Sequence, residues 1–171
     1  MAASILHYVI FAVFPLGMAY AAASDLLTMT ISNRLTLALG AGFILLAPLT
    51  GMDLQTLTMH FAAGGAVFAI AFFLFAMGWI GGGDAKLASV TVLWLGWDVA
   101  LEFLGIASIF GGILTIVLLS FRRAVLPAFI IRQPWVQRLH NESAGVPYGV
   151  ALAAAALAVY PHTVWMQMAV G

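Results

Sequence analysis

The stretch WIGGGDAKLASVTVLWLGW, residues 79–97, decides how this chain is read. Three glycines, an aspartate and a lysine interrupt a polypeptide that is otherwise almost wholly apolar. The apolar run that follows them, 85–97, has only about 13 residues. As a helix rising about 1.5 Å per residue it covers roughly 20 Å, against about 30 Å of bilayer hydrocarbon. It is either a short span in a thinned bilayer or one limb of a re-entrant hairpin with the run after it.

The rest of the chain supplies the context. It is 64% hydrophobic and 7% charged, with a mean hydropathy of +1.12. Soluble domains carry about 25% charged residues, so this composition excludes a water-soluble globule. Apolar runs occupy 4–24, 35–50, 57–79, 85–97, 99–121 and 148–168. Backbone polar groups cannot be left unpaired in lipid, so these runs are expected to be helices. The expected fold is an all-α polytopic membrane protein of about six transmembrane helices, a single membrane-embedded domain over 1–171. A net charge of zero offers no electrostatic case for nucleic acid as a partner. The absence of cysteine excludes disulfides, cysteine-ligated metals and a thiol nucleophile.

With six spans, Arg34, Lys86, Arg122, Arg123, Arg132 and Arg138 all fall on one side, and Asp53, Asp98 and Glu102 on the other. Positive-inside bias then puts the basic side in the cytoplasm and both termini outside. The first run resembles a secretory signal peptide, but no Lys or Arg precedes Arg34, so it is read as a retained span. The largest loop, 121–146, mixes four arginines with Ile, Leu, Phe and Trp. It reads as an interfacial segment whose basic residues meet anionic lipid. The alanine run ALAAAALA reads as a small-residue packing face.

Two acids, Asp25 and Asp84, fall near helix ends on the cytoplasmic side, the first ending span one and the second beginning span four. Those spans run in opposite directions, so both carboxylates arrive at one depth. Placing an aspartate at that depth costs a few kcal/mol. Each acid has a bland reading: Asp84 as an N-cap of the fourth helix, Asp25 as an interfacial acid. Read together, they are a candidate catalytic pair. Two carboxylates within a few ångströms do not both ionise easily and share a proton. The ionised member takes a proton from water while the protonated one polarises a carbonyl. Glycines beside them permit close approach of a substrate backbone. The scheme uses no metal and no cofactor.

Other constellations are plainer. His7, His60, His140 and His162 show no ligand spacing and read as interfacial residues. Trp79, Trp94, Trp97, Trp135 and Trp165 read as an aromatic belt near span ends. Lys86 either snorkels to the headgroups or tunes Asp84. VPYG, 146–149, either starts the last helix with Tyr148 at the interface or belongs to the site.

Three stretches carry a family resemblance: SDLLTMTISNRLT (24–36), GGGDAKL (81–87) and VPYGVALAAAA (146–156). Together they resemble the signature regions of the type IV prepilin peptidases, GxGD-type intramembrane aspartyl proteases. The size is similar to the short subclass serving Flp pili of tight-adherence secretion systems. The resemblance implies a GxGD protease-like bundle in a bacterial inner membrane, with Asp25 and Asp84 as the catalytic pair. It implies that Gly81, Gly82, Gly83, Lys86, Asn33, Pro147, Tyr148 and Gly149 support that pair or the substrate. The implied activity removes the basic leader of a Flp-type prepilin at the cytoplasmic face, with the tight-adherence assembly machinery as a further partner. Two departures stand out. Ser32 replaces the proline that many relatives carry in Ile-Pro-Asn. The cysteine-rich domain of the larger bifunctional relatives is missing, so no methyltransferase activity is expected. The readings outside this family are a small transporter carrying protons or cations on its acid pair and a non-catalytic pilus-assembly scaffold.

Overall fold

A computed structural model of the chain describes residues 2–166. The end of the expected run 148–168 and the side chain of His7 lie outside the described part. Each of the six apolar runs forms a helix: α1 (Ala2–Thr28), α2 (Asn33–Leu46), α3 (Leu54–Ala76), α4 (Gly82–Leu95), α5 (Trp97–Arg123) and, at the end, α8 (Tyr148–Val159). Two short helices, α6 (Ala128–Ile131) and α7 (Pro134–His140), lie in the basic loop. Among the described residues, Asn33–Thr50, Leu54–Ala76 and Trp97–Arg123 are long and apolar enough to cross a membrane. Ala12–Thr28 and Tyr148–His162 are shorter apolar helices. The protein is a polytopic helical membrane protein.

The short fourth run lies in the middle of the bundle. In α4, Ala85, every residue from Leu87 to Val92, Trp94 and Leu95 are buried. Helix α3 packs along its length, and α2 and α8 close around it. Protein rather than lipid surrounds α4, so its backbone and its polar Ser89 and Thr91 find partners inside the bundle. The Ser89 hydroxyl donates to Ala85 O at 2.6 Å, and that of Thr91 points to Met18 Sδ at 3.6 Å. A single residue, Gly96, joins α4 to α5 at φ 82. A Cβ there would meet the His60 ring at 2.8 Å, so both conformation and space require glycine.

Between apolar helices in lipid, close packing replaces the hydrophobic drive. Helix α8 shows this: Ala151, Ala153, Ala155 and Ala156 are buried where α1 and α5 pack against it. The C-terminal end of α4 is held by rings. Trp94 and Trp165 lie 4.8 Å apart between centroids, with Phe14 5.4 Å and Phe43 5.9 Å from Trp94. This corrects the belt reading for two of the five tryptophans. Trp94 and Trp165 are core residues because each indole N–H finds a carbonyl, Leu39 O at 2.9 Å and Trp94 O at 2.6 Å respectively. Trp79, Trp97 and Trp135 are exposed. His60 is likewise a buried residue and not an interfacial one, its Nδ1 lying 2.8 Å from Leu93 O. His162 is exposed and pairs with Glu102 at 3.3 Å.

Candidate active site

The site forms where α1 ends and α4 and α8 begin. Asp25 lies in the last turns of α1, and its carbonyl accepts the Met29 N–H at 2.8 Å. Met29 then adopts φ 56, which stops the helix and turns the chain. Ser24 Oγ donates to Thr30 O at 2.9 Å, folding the connection back on the helix. Ser32 caps α2 by accepting the Leu35 N–H at 3.3 Å. The departure from proline at this position therefore leaves the start of α2 well defined.

Asp25 is 5% exposed, and its carboxylate accepts the backbone N–H of Gly149 at 2.7 Å. Gly149 is the second residue of α8, where a helix has unpaired amides to offer. A Cβ on Gly149 would lie 2.8 Å from Asp25 Oδ2 and 2.7 Å from Ile31 Cδ1, so only glycine lets α8 approach this closely.

Asp84 is in the first turn of α4, but it is not the cap. The cap position belongs to Gly81, with the extended backbone φ −70, ψ 143. The Asp84 carboxylate reaches back and accepts the backbone N–H of Gly81. This is one half of a capping box, with the acid at the third helical position bonding the amide of the cap residue.

Asp25 and Asp84 line one cavity of about 880 Å³. Its walls are Met29–Ile31 from the α1–α2 connection, Gly78–Gly83 before and at the start of α4, and Gly145, Val146 and Tyr148 before and at the start of α8. All three quoted stretches therefore meet. Ile31 fits between Gly83 and Gly149. Lys86 Nζ donates to Asn33 Oδ1 at 2.9 Å, joining the start of α4 to the start of α2. The Tyr148 ring lies directly on Gly111 of α5, and Pro147 is buried just before α8. Sequence reasoning named the acids and these neighbours but missed Ile31. It also missed Arg138, whose Nη2 donates to Leu27 O at 2.7 Å and so ties α7 to the end of α1. Nothing in an arginine-rich loop signals which member points inward.

The other acids fall elsewhere. Asp53 and Asp98 line a separate cavity of about 460 Å³ with His60 and His162. An almost wholly apolar groove of about 590 Å³ lies between α2, α3 and α4, bordered by Lys86 and Asn33, and holds neither acid of the pair. Among the described residues, no three His, Asp or Glu side chains gather to hold a metal ion.

The model of the type IV leader peptidase family matches residues 12–116, a segment that includes both Asp25 and Asp84. No curated protein and no solved structure matches the chain.

Proposed function

The chain belongs to the type IV leader peptidase family, and from that premise we propose that it is an aspartyl endopeptidase using Asp25 and Asp84 as one catalytic pair. One observation supports the pair above all: two carboxylates from helices far apart in sequence line a single cavity walled by glycine-rich backbone. In this reading a water rests between them. The ionised carboxylate removes its proton as its oxygen attacks the scissile carbonyl carbon, while the protonated carboxyl hydrogen-bonds the carbonyl oxygen. The tetrahedral intermediate collapses when the leaving amine takes a proton back from the pair. The Gly149 amide holds one oxygen of Asp25, leaving the other for water. Gly81–Gly83 accept an extended substrate without side-chain obstruction.

The substrate in this reading is a Flp-type prepilin. Its leader is cut at the cytoplasmic face of the inner membrane and its mature part passes to the tight-adherence assembly machinery. The resemblance of the three stretches supports this choice, and the one-sided basic residues support the face. Peptidase action without methyl transfer is the activity assigned to these residues. A transporter asks for acids strung along a through-path, whereas the acids here divide between two cavities.

The test is co-expression with a Flp-type prepilin, following the pilin by intact mass. Wild type is expected to remove the leader without adding a methyl group, and Asp25→Asn and Asp84→Asn to leave it uncut. Cutting by both variants at the wild-type rate would refute the pair.

A further inference from the structure

Among the described residues, the loop 121–146 contains an arginine that is buried and pairs with no acid. Arg122 lies in the last turn of α5 and is buried. Its Nε donates to Leu139 O at 2.8 Å, and its Nη2 donates to Ala144 O at 2.8 Å and Gly145 O at 2.7 Å. Among the described residues, its hydrogen-bond partners are thus three backbone carbonyls. A buried cation is costly unless its hydrogen bonds are satisfied, and carbonyls return less than a carboxylate would. That arrangement makes sense where the carbonyls themselves have to be held in place.

The segment held is a wall of the Asp25/Asp84 cavity. Leu139 is in α7, whereas Gly145 and Val146 line the cavity. Asn141 turns the chain between them: Ser143 Oγ donates to its Oδ1 at 2.8 Å, and the Ala144 N–H donates to its carbonyl at 3.1 Å. The same backbone continues through the buried Pro147 to the Gly149 amide, which holds Asp25 at 2.7 Å. Arg123, the next residue, is exposed.

Resting on the peptidase reading above, we propose that Arg122 is a positioning residue: its guanidinium clamps the 139–145 backbone into a fixed wall and so presents the Gly149 amide to Asp25. The Nε and Nη2 edge of a guanidinium supplies parallel donors in one plane, whereas a lysine ammonium offers a single point. An ammonium placed here holds one end of the segment and not both.

The experiment uses the full chain in lipid nanodiscs, with two readouts. One is backbone hydrogen exchange across 139–149. The other is steady-state cleavage of a purified Flp-type prepilin. Arg122→Gln is expected to speed exchange across the segment, including Gly149, and to lower kcat by about 10²-fold with KM little changed, as a displaced catalytic group does. Arg122→Lys is expected to recover part of both, and Arg123→Gln to match wild type in both. Exchange in Arg122→Gln and Arg122→Lys equal to wild type overturns the clamp. Faster exchange with kcat within twofold of wild type overturns the positioning role. A chain whose wild type cuts no prepilin, yet whose Arg122→Gln segment exchanges faster, removes the peptidase reading while leaving the clamp in place.

Discussion

At its C-terminal end α4 is gripped by rings; at its N-terminal end it is gripped by backbone. Trp94 sits among Phe14, Phe43 and Trp165, and its indole N–H bonds Leu39 O at 2.9 Å. Asp84, nearly three turns away, touches a glycine amide and opens on a cavity of about 880 Å³. One end is filled with large side chains. The other is hollow, walled by Gly78, Gly81–Gly83 and Gly145 together with Ile31, Trp79, Ile80 and Tyr148. We read the first end as the one that stabilises the fold and the second, on the proposal above, as the one that carries the chemistry. Buried polar groups need hydrogen-bond partners, and the two carboxylates lining the hollow have them. Asp25 has the Gly149 amide and Asp84 that of Gly81.

Substitutions that separate the two ends sharpen this contrast. The largest expected effect is at the hollow end. Asp25→Asn and Asp84→Asn should each lower prepilin cleavage by about 10⁴-fold or more, and the double variant should scarcely differ from either single one, because groups acting as a unit are non-additive. Rates on purified prepilin, with thermal unfolding as the control, check this; the melting temperature should hardly move. Next comes Gly149→Ala, whose methyl would lie 2.8 Å from Asp25 Oδ2. It should cost about 10²-fold in kcat by displacing the carboxylate, measured on the fraction that remains folded.

The ring end should respond in the opposite sense. Trp94→Ala should cost about 3–5 kcal/mol of stability, read as a lowered melting temperature in nanodiscs. The protein that remains folded should still cut at near the wild-type rate. A loss of kcat at temperatures where Trp94→Ala is fully folded would show that the two ends are not separable.

The smallest effects belong to the acids outside the pair. Asp98→Asn and Glu102→Gln should cleave within about twofold of wild type, as surface substitutions away from a site do. Asp53 caps α3 by accepting the Thr56 N–H at 3.2 Å, and the hydrogen bonds of Thr56 hold its carboxyl below the ordinary value of 3.8. A depressed acid stabilises the fold above its unfolded pKa and loses that contribution as pH falls through the folded value. Wild type should therefore lose a small increment of stability below about pH 4 that Asp53→Asn does not lose, seen by comparing melting temperatures across that range.

Much of this was legible in the chain itself. The six apolar runs all became helices, since a helix satisfies a segment's backbone hydrogen bonds within the segment itself. The acids that share a cavity, Asp25 and Asp84, were the two set at one depth by the alternation of spans. Neighbour relations were harder to read. Run 85–97 looked marginal as a span because length was measured against lipid, while α4 is enclosed by α2, α3 and α8. Trp94 and Trp165 looked like belt residues because position near a span end does not reveal an available carbonyl. Arg122 and Arg123 are adjacent and chemically identical; only the helix phase at the end of α5 turns one inward and the other out. The seat of Tyr148 on Gly111 and the fit of Ile31 between Gly83 and Gly149 are contacts between distant stretches. No local pattern carries them.

The most direct test of a shared cavity uses the chain's lack of cysteine. Paired cysteines are placed at Asp25 and Asp84 in one variant and at Asp25 and Asp98 in another, and each is treated in nanodiscs with a short bifunctional thiol reagent. The account predicts an intramolecular bridge at 25/84, suppressed by added prepilin, and none at 25/98. A bridge at 25/98, or unbridged thiols at 25/84 that react freely with a single-ended reagent, would contradict it.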